Sequence, residues 1–437
     1  MAEGTEASVE LGSWGITRWL PSWCPTSQSK LEEAEERMLQ PIQSKFSKQF
    51  VHISNDKKLW TLVFSGSVES KTPLVLLHGF GGGVGLWAMN LDALSQQRPV
   101  YAFDLLGFGQ SSRPHFSTDA QEAETQFVES IEEWREKLGL ESVILLGHNL
   151  GGYLAAAYSL KYPSRVKHLI LVEPWGFPGC PEADEQDRSF PVWIKALEVV
   201  LSPFNPLAGL RLAGPLGPGL VQIVRPDFKK KYSAMFNDNT VTEYIYHLNV
   251  QNPSGETAFK NMTISYGWAK RPMLQRVGLI HSDIPITVIY GSRSSIDGHS
   301  GNSIKEMRPN SHVELIAIRG AGHYVFADQP EDFNHRVKRT GQSASVNLYV
   351  FACRSAACIT TACPSPEPRF AHCSRGSGPY RRRLGRQLWQ PVLNLKESEV
   401  GAPIRAQEVD DSTRKQMEGN AEDLQTLSHG APEWFQR

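Results

Sequence analysis

The 437-residue chain predicts an α/β fold in which a mostly parallel central sheet is flanked by helices and interrupted by a helical cap. Three observations predict it. Short apolar runs alternate with amphipathic stretches, glycine-rich turns follow two of those runs, and a Pro/Gly-punctuated insertion separates the last two runs from the rest. Short runs without an in/out alternation are what strands need when helices cover both faces of a parallel sheet.

The elements follow in order. Residues 1–48 are polar and broken by Pro21, Pro25 and Pro41, with an acidic helical stretch from Lys30 to Gln40; they read as an N-terminal extension. From Val51 to Phe64 two β-rich runs flank Asn55 and Asp56, a hairpin signature. Strands are expected at Pro73 to His78, Pro99 to Asp104, Ser142 to Gly147, Val166 to Val172, Ile286 to Gly291 and His312 to Ile318. Between the second and third of these, Phe127, Ile131, Trp134 and Leu138 recur at helical spacing and form a core-facing stripe. The core is thus divided into residues 49–178 and 286–340, with residues 179–285 inserted as a cap. A cap there covers the carboxyl ends of the strands, where open α/β sheets place their sites. Residues 341–437 turn to Ser, Pro, Arg and Cys without periodicity, include the basic cluster Arg381 to Arg383, and read as a mostly disordered tail.

Composition excludes several functions. The formal charge is −1 with acids and bases interspersed, so no global field favours nucleic acid as a partner. The N-terminus carries Glu3, Glu6 and Glu10 in place of a basic segment and an apolar run, so no secretory signal is expected. No stretch approaches the roughly 18 to 20 apolar residues that span a bilayer. The expected location is cytoplasmic, with peripheral membrane contact at most. Trp14, Trp19 and Trp23, interleaved with Leu11, Ile16 and Leu20, fit an interfacial anchor; packing on the folded domain is the competing role for the same rings.

The chemistry concentrates at Gly147, His148, Asn149, Leu150, Gly151, Gly152, directly after a strand. This is the strand-to-helix elbow G-x-S-x-G of α/β-hydrolases, with asparagine in the serine's place. A carboxamide has no proton that a histidine removes to make a nucleophile, so an acyl-enzyme cannot form by that route. Loss of such a nucleophile costs on the order of 10⁶ in turnover. The other parts are present in α/β-hydrolase order: an oxyanion-type loop at Gly79, Phe80 and Gly81, whose second amide is that of Leu150, then an acid at Asp297 and a base at His323. Asp297 is expected to orient His323 and favour its charged form.

A second pattern overlaps the first. His323 and Asp328 have the H-x-x-x-x-D spacing of glycerolipid acyltransferases, in which the pair deprotonates an acceptor hydroxyl beside an acyl thioester such as acyl-CoA. Asp328 also stands just before Gln329, Pro330 and Glu331, the position of a cap for a helix from Pro330 to Val337. In the cap, Lys229, Lys230 and Lys231 precede Ser233, which fits either a solvated charged face or a basophilic phosphorylation site. The Asn261-Met262-Thr263 sequon is void in the cytosol. Cys353, Cys358, Cys363 and Cys373 lack zinc-site spacing, so no metal and no resident cofactor is expected.

These motifs resemble a lipid-droplet branch of the α/β-hydrolase-domain family. The likeness runs through Trp19 to Thr26, Leu76 to Leu86, Phe103 to Gly109, Leu145 to Gly152, Glu173 to Pro178, Pro253 to Lys260 and Gly320 to Pro330, and ceases after about residue 338. One branch member, a phospholipid N-acyl lipase, keeps the elbow serine, so Asn149 points to the non-hydrolytic side. The resemblance implies docking on the lipid-droplet monolayer, binding to perilipin-type coat proteins and activation of a separate patatin-type lipase of the adipose triglyceride lipase kind. It also implies a lysophosphatidic acid acyltransferase activity ascribed to the family. For the lipase contact, the exposed candidates beside the site are Arg293 and Gly322, a charged loop residue and a backbone-permissive glycine flanking Asp297 and His323.

Overall fold

The computed structural model describes residues 24–66, 71–180, 205, 207–264, 267–294 and 299–341. Trp14, Trp19, Trp23 and Asp297, and nearly all of the segment expected as a tail, lie outside the described residues.

Helix α1 (Gln28–Leu39) opens the described chain, with Ser27 capping the Lys30 amide. Leu31, Ala34 and Met38, spaced three and four apart, are fully buried. Residues 24–48 are therefore part of the folded body, and the expected boundary of a polar extension at residue 48 is corrected: apart from the buried Glu35, the charged residues of α1 lie on its outer face. Strand β1 (Ser47–His52) likewise begins inside that segment and pairs antiparallel with β2 (Lys58–Phe64). The turn between them sits at Asn55 and Asp56, both with positive φ, as tight hairpins demand.

Beyond the hairpin come β3 (Leu74–Leu77), helix α2 (Ala88–Ser95), β4 (Val100–Phe103), α3 (Ala120–Lys137), β5 (Val143–His148), α4 (Leu150–Lys161) and β6 (Val166–Val172). The insertion then builds short helices, among them Ala208–Leu212, Gly217–Val224, Pro226–Lys231, Thr240–Asn249 and Gly255–Met262. Strands β7 (Ile286–Gly291) and β8 (Val313–Ile318) complete one eight-stranded sheet of order β1-β2-β4-β3-β5-β6-β7-β8. The β1–β2 and β2–β4 pairs are antiparallel and every other pair is parallel.

Successive strand residues point to opposite faces, and both faces are buried. Val75, Leu77, Leu145 and Leu171 face α3 and α4, where Phe127, Ile131 and Trp134 supply the stripe read from the sequence. Leu74, Leu76, Ile144 and Ile170 belong to the opposite core, with Met38, Trp87 and Phe333. Leu138 is the α3 C-cap and only partly buried. The site sits where β3, β5, β6 and β7 end.

Candidate functional site

Asn149 stands between β5 and α4 at φ 51° and ψ −116°, a strained positive-φ conformation outside the left-handed helical well. The glycines around it are steric necessities. A Cβ on Gly147 would lie 2.2 Å from the Gly151 carbonyl, and one on Gly151 would lie 2.5 Å from that of Leu77. The strand-to-helix passage therefore leaves no room for a side chain at either glycine.

What the elbow presents differs. The Phe80 amide donates to Asn149 Oδ1 at 3.2 Å, while Asn149 Nδ2 lies 3.3 Å from His323 Nε2. An N–H needs an acceptor, which fixes Oδ1 toward Phe80 and leaves the amino group for the histidine. The carboxamide thus places an oxygen against the Phe80 amide and a donor against His323, filling both positions with one side chain. Leu150 opens α4, so its amide has no intrahelical partner.

His323 Nε2 accepts from Asn149, so the ring proton belongs on Nδ1, which faces Glu173 Oε2 at 3.5 Å. Glu173 follows β6 directly, is fully buried, and adopts φ 46°. Its carboxylate also accepts from the Gly291 amide and the Ser294 hydroxyl, each at 2.6 Å. A non-glycine residue in that region costs about 1–3 kcal/mol and persists only when its surroundings hold it. Here two donors and a histidine do so. Glu173, which the sequence did not single out, is thus brought to His323, while Asp297, the expected acid, lies outside the described residues. The available signal for Glu173 was its place just past the carboxyl end of a parallel strand, where site residues gather.

The surrounding histidines are neutral. His148 donates from Nε2 to the His323 carbonyl at 3.1 Å, and burial, then the charge of His323, holds it well below the ordinary histidine range. His78 accepts the Leu105 amide at Nε2 and donates from Nδ1 to the Gly79 carbonyl; burial pushes its pKa down to about 4. The loop after β3 is pinned from the cap as well, because Asn249 donates to the Gly81 carbonyl at 2.9 Å.

Asp328 is bound by two donors other than the His323 ring. Its carboxylate accepts from Lys231 Nζ at 2.6 Å and from the Gly322 amide at 2.8 Å. It ends the short helix Val325–Asp328, and Gln329 takes the capping position of the following helix, residues 330–341, by accepting from the Phe333 amide. The expected cap role of Asp328 is corrected accordingly: the bend at Gln329 turns its side chain back toward Gly322. Arg293 is exposed, donates to the Gly320 carbonyl, and its amide donates to Ala321. Arg293, on the loop after β7, thereby meets the loop that carries His323 at Gly320 and Ala321, while Gly322, expected to be exposed, is half-buried against Asp328. Ser233 is exposed just past the helix Pro226–Lys231 and donates to the Lys230 carbonyl at 2.8 Å.

An eight-stranded sheet in this order, with a strand-turn-helix elbow, an oxyanion-type loop and a carboxylate-oriented histidine, defines an α/β-hydrolase. The α/β hydrolase fold family model matches residues 72–330, and the chain belongs to that family. Among its relatives is the human 1-acylglycerol-3-phosphate O-acyltransferase ABHD5, 69% identical over 329 residues, 75% of this chain and 94% of the relative. The human (Lyso)-N-acylphosphatidylethanolamine lipase is 57% identical over 309 residues, 71% of this chain and 90% of the relative. The naproxen esterase of Bacillus subtilis shares the fold at a TM-score of 0.52 and 19% identity, covering 71% of this chain and 96% of the esterase.

Proposed function

We propose that this chain is a non-hydrolytic α/β-hydrolase that docks on lipid-droplet surfaces and activates a separate patatin-type triglyceride lipase. The observation that carries this reading is Asn149, whose carboxamide occupies the oxyanion-type amide of Phe80 and the base His323 together. A site so filled neither attacks an ester nor admits its carbonyl oxygen, while the fold around it is kept with tight tolerances. Peripheral contact with lipid is supported by Leu212, Leu216 and Ile223, which are 69%, 77% and 78% exposed on consecutive short helices of the cap. Exposed large apolar side chains in one segment fit an interface. Among the described residues no helix is long and apolar enough to cross a membrane. In this reading Arg293 and Gly322 contribute the lipase contact, and perilipin-type coat proteins are partners at the droplet.

The test is triglyceride hydrolysis by the lipase with and without this chain. Activation by wild type that is lost on Arg293→Glu supports the reading, and no activation by wild type refutes it.

A second reading, acyl-CoA-dependent acylation of lysophosphatidate, is favoured by the names of relatives such as the human protein. It calls for His323 as base, and transfer of labelled oleate from oleoyl-CoA must vanish on His323→Ala. Transfer that survives that substitution refutes it.

A further inference from the structure

We infer that Lys231 and Asp328 form a latch through which the cap sets the shape of the His323 loop, so that Asp328 is a positioning residue. The geometry has two halves. Asp328 divides its carboxylate: Oδ2 accepts from the Gly322 amide at 2.8 Å and Oδ1 from Lys231 Nζ at 2.6 Å. Both side chains are largely buried, at 11% and 15% exposure. One carboxylate therefore ties the residue before His323 to the cap helix Pro226–Lys231.

The cap side of the latch is itself fixed. Asp227 lies 3.5 Å from Lys231 Nζ and is bound by both arms of Arg225 at 2.9 Å. The Arg225 guanidinium stacks 4.3 Å from the Phe228 ring centroid and 5.3 Å from that of Tyr324, the residue after His323. The cap thus grips the loop on both sides of the histidine, by Asp328 at Gly322 and by Arg225 at Tyr324. Removing one member of a mostly buried ion pair leaves the other charge desolvated and unpaired, which loosens whatever the pair held.

The lipase arm of the test rests on the proposed function; the exchange and resonance arms do not. Amide hydrogen exchange over residues 318–324 and the His323 imidazole resonance are followed in wild type, Lys231→Met, Lys231→Arg, Asp328→Asn and the Lys231→Met/Asp328→Asn double variant. The latch predicts exchange about tenfold faster in Lys231→Met and in Asp328→Asn, with no further gain in the double variant. It also predicts a shifted His323 resonance in Lys231→Met and wild-type behaviour in Lys231→Arg. Lipase activation falls in parallel with the loss of protection. Unchanged exchange in Lys231→Met, or multiplied effects in the double variant, overturns the inference. So does acyl transfer that disappears in Asp328→Asn while Lys231→Met leaves transfer and exchange intact. Absence of activation by wild type with the exchange pattern as predicted refutes the proposed function and leaves the latch standing.

Discussion

Glu35→Gln tests the buried acid pair beneath the site. Glu35 lies on the inner face of α1, only 2% exposed, and accepts from Trp60 Nε1 at 2.6 Å and Gln110 Nε2 at 2.8 Å. Asp104 is its acidic neighbour and accepts the Val84 and Gln110 amides, each at 2.8 Å. Burial, and then the charge of Asp104, push Glu35 from an ordinary 4.5 up to about 8; burial raises Asp104 to about 6. The folded chain thus binds more protons than the unfolded chain between these values, and stability falls as pH rises through them.

Buried histidines work in the opposite direction lower on the scale. His78 and His168, held by burial at about 4 and about 3, are neutral when folded and charge on unfolding around and below about 6.5, so they add stability as pH rises through that value. Their contribution is the same in wild type and in Glu35→Gln, so it cancels in the difference between the two. At 1.36 kcal/mol per pKa unit, the Glu35 titration removes about 2 kcal/mol between pH 6.5 and 8.5. Gln keeps the oxygen that Trp60 and Gln110 use and has no such titration. Urea unfolding at half-unit intervals measures both curves. The stability of wild type relative to Glu35→Gln should fall by about 2 kcal/mol over that window; parallel curves refute the assignment of a raised pKa to Glu35.

Asn149→Ala removes both contacts of the carboxamide and leaves the Phe80 amide short of an acceptor, so urea unfolding should show a loss of about 1–3 kcal/mol, with no gain in esterase activity. Gly147→Ala forces a Cβ to 2.2 Å from the Gly151 carbonyl; soluble yield and thermal unfolding should report a loss above about 3 kcal/mol, or no folded protein. Replacing Trp14, Trp19 and Trp23 together by Ala should release the chain from oleate-induced droplets under the microscope, and retained binding assigns those rings elsewhere.

The sheet was legible because its strands are short apolar runs with turn residues at their ends; the six core strands end within one residue of expectation, while the more polar β1 starts at Ser47, four residues before Val51. The elbow was legible because only glycine fits at positions 147 and 151. Glu173 was not, because what makes it a site residue is the adjacency of β6 and β7 in space, which brings Gly291 and Ser294 to its carboxylate across more than a hundred residues of sequence. Glu35 escaped for a related reason: acids on a helix read as solvated, and nothing local shows that this one turns inward against Trp60. Asp328 carried a motif spacing, yet the partner that decides its role, Lys231, comes from a cap helix whose position periodicity does not reveal.

The most direct measurement is hydrolysis of labelled triolein on droplets by a patatin-type lipase, by the purified chain alone, and by the two together. No release by the chain alone and a several-fold gain over the lipase when both are present are the expected results. Fatty acid release by the chain alone at rates typical of serine esterases, or no gain in the mixture, would contradict the proposed function.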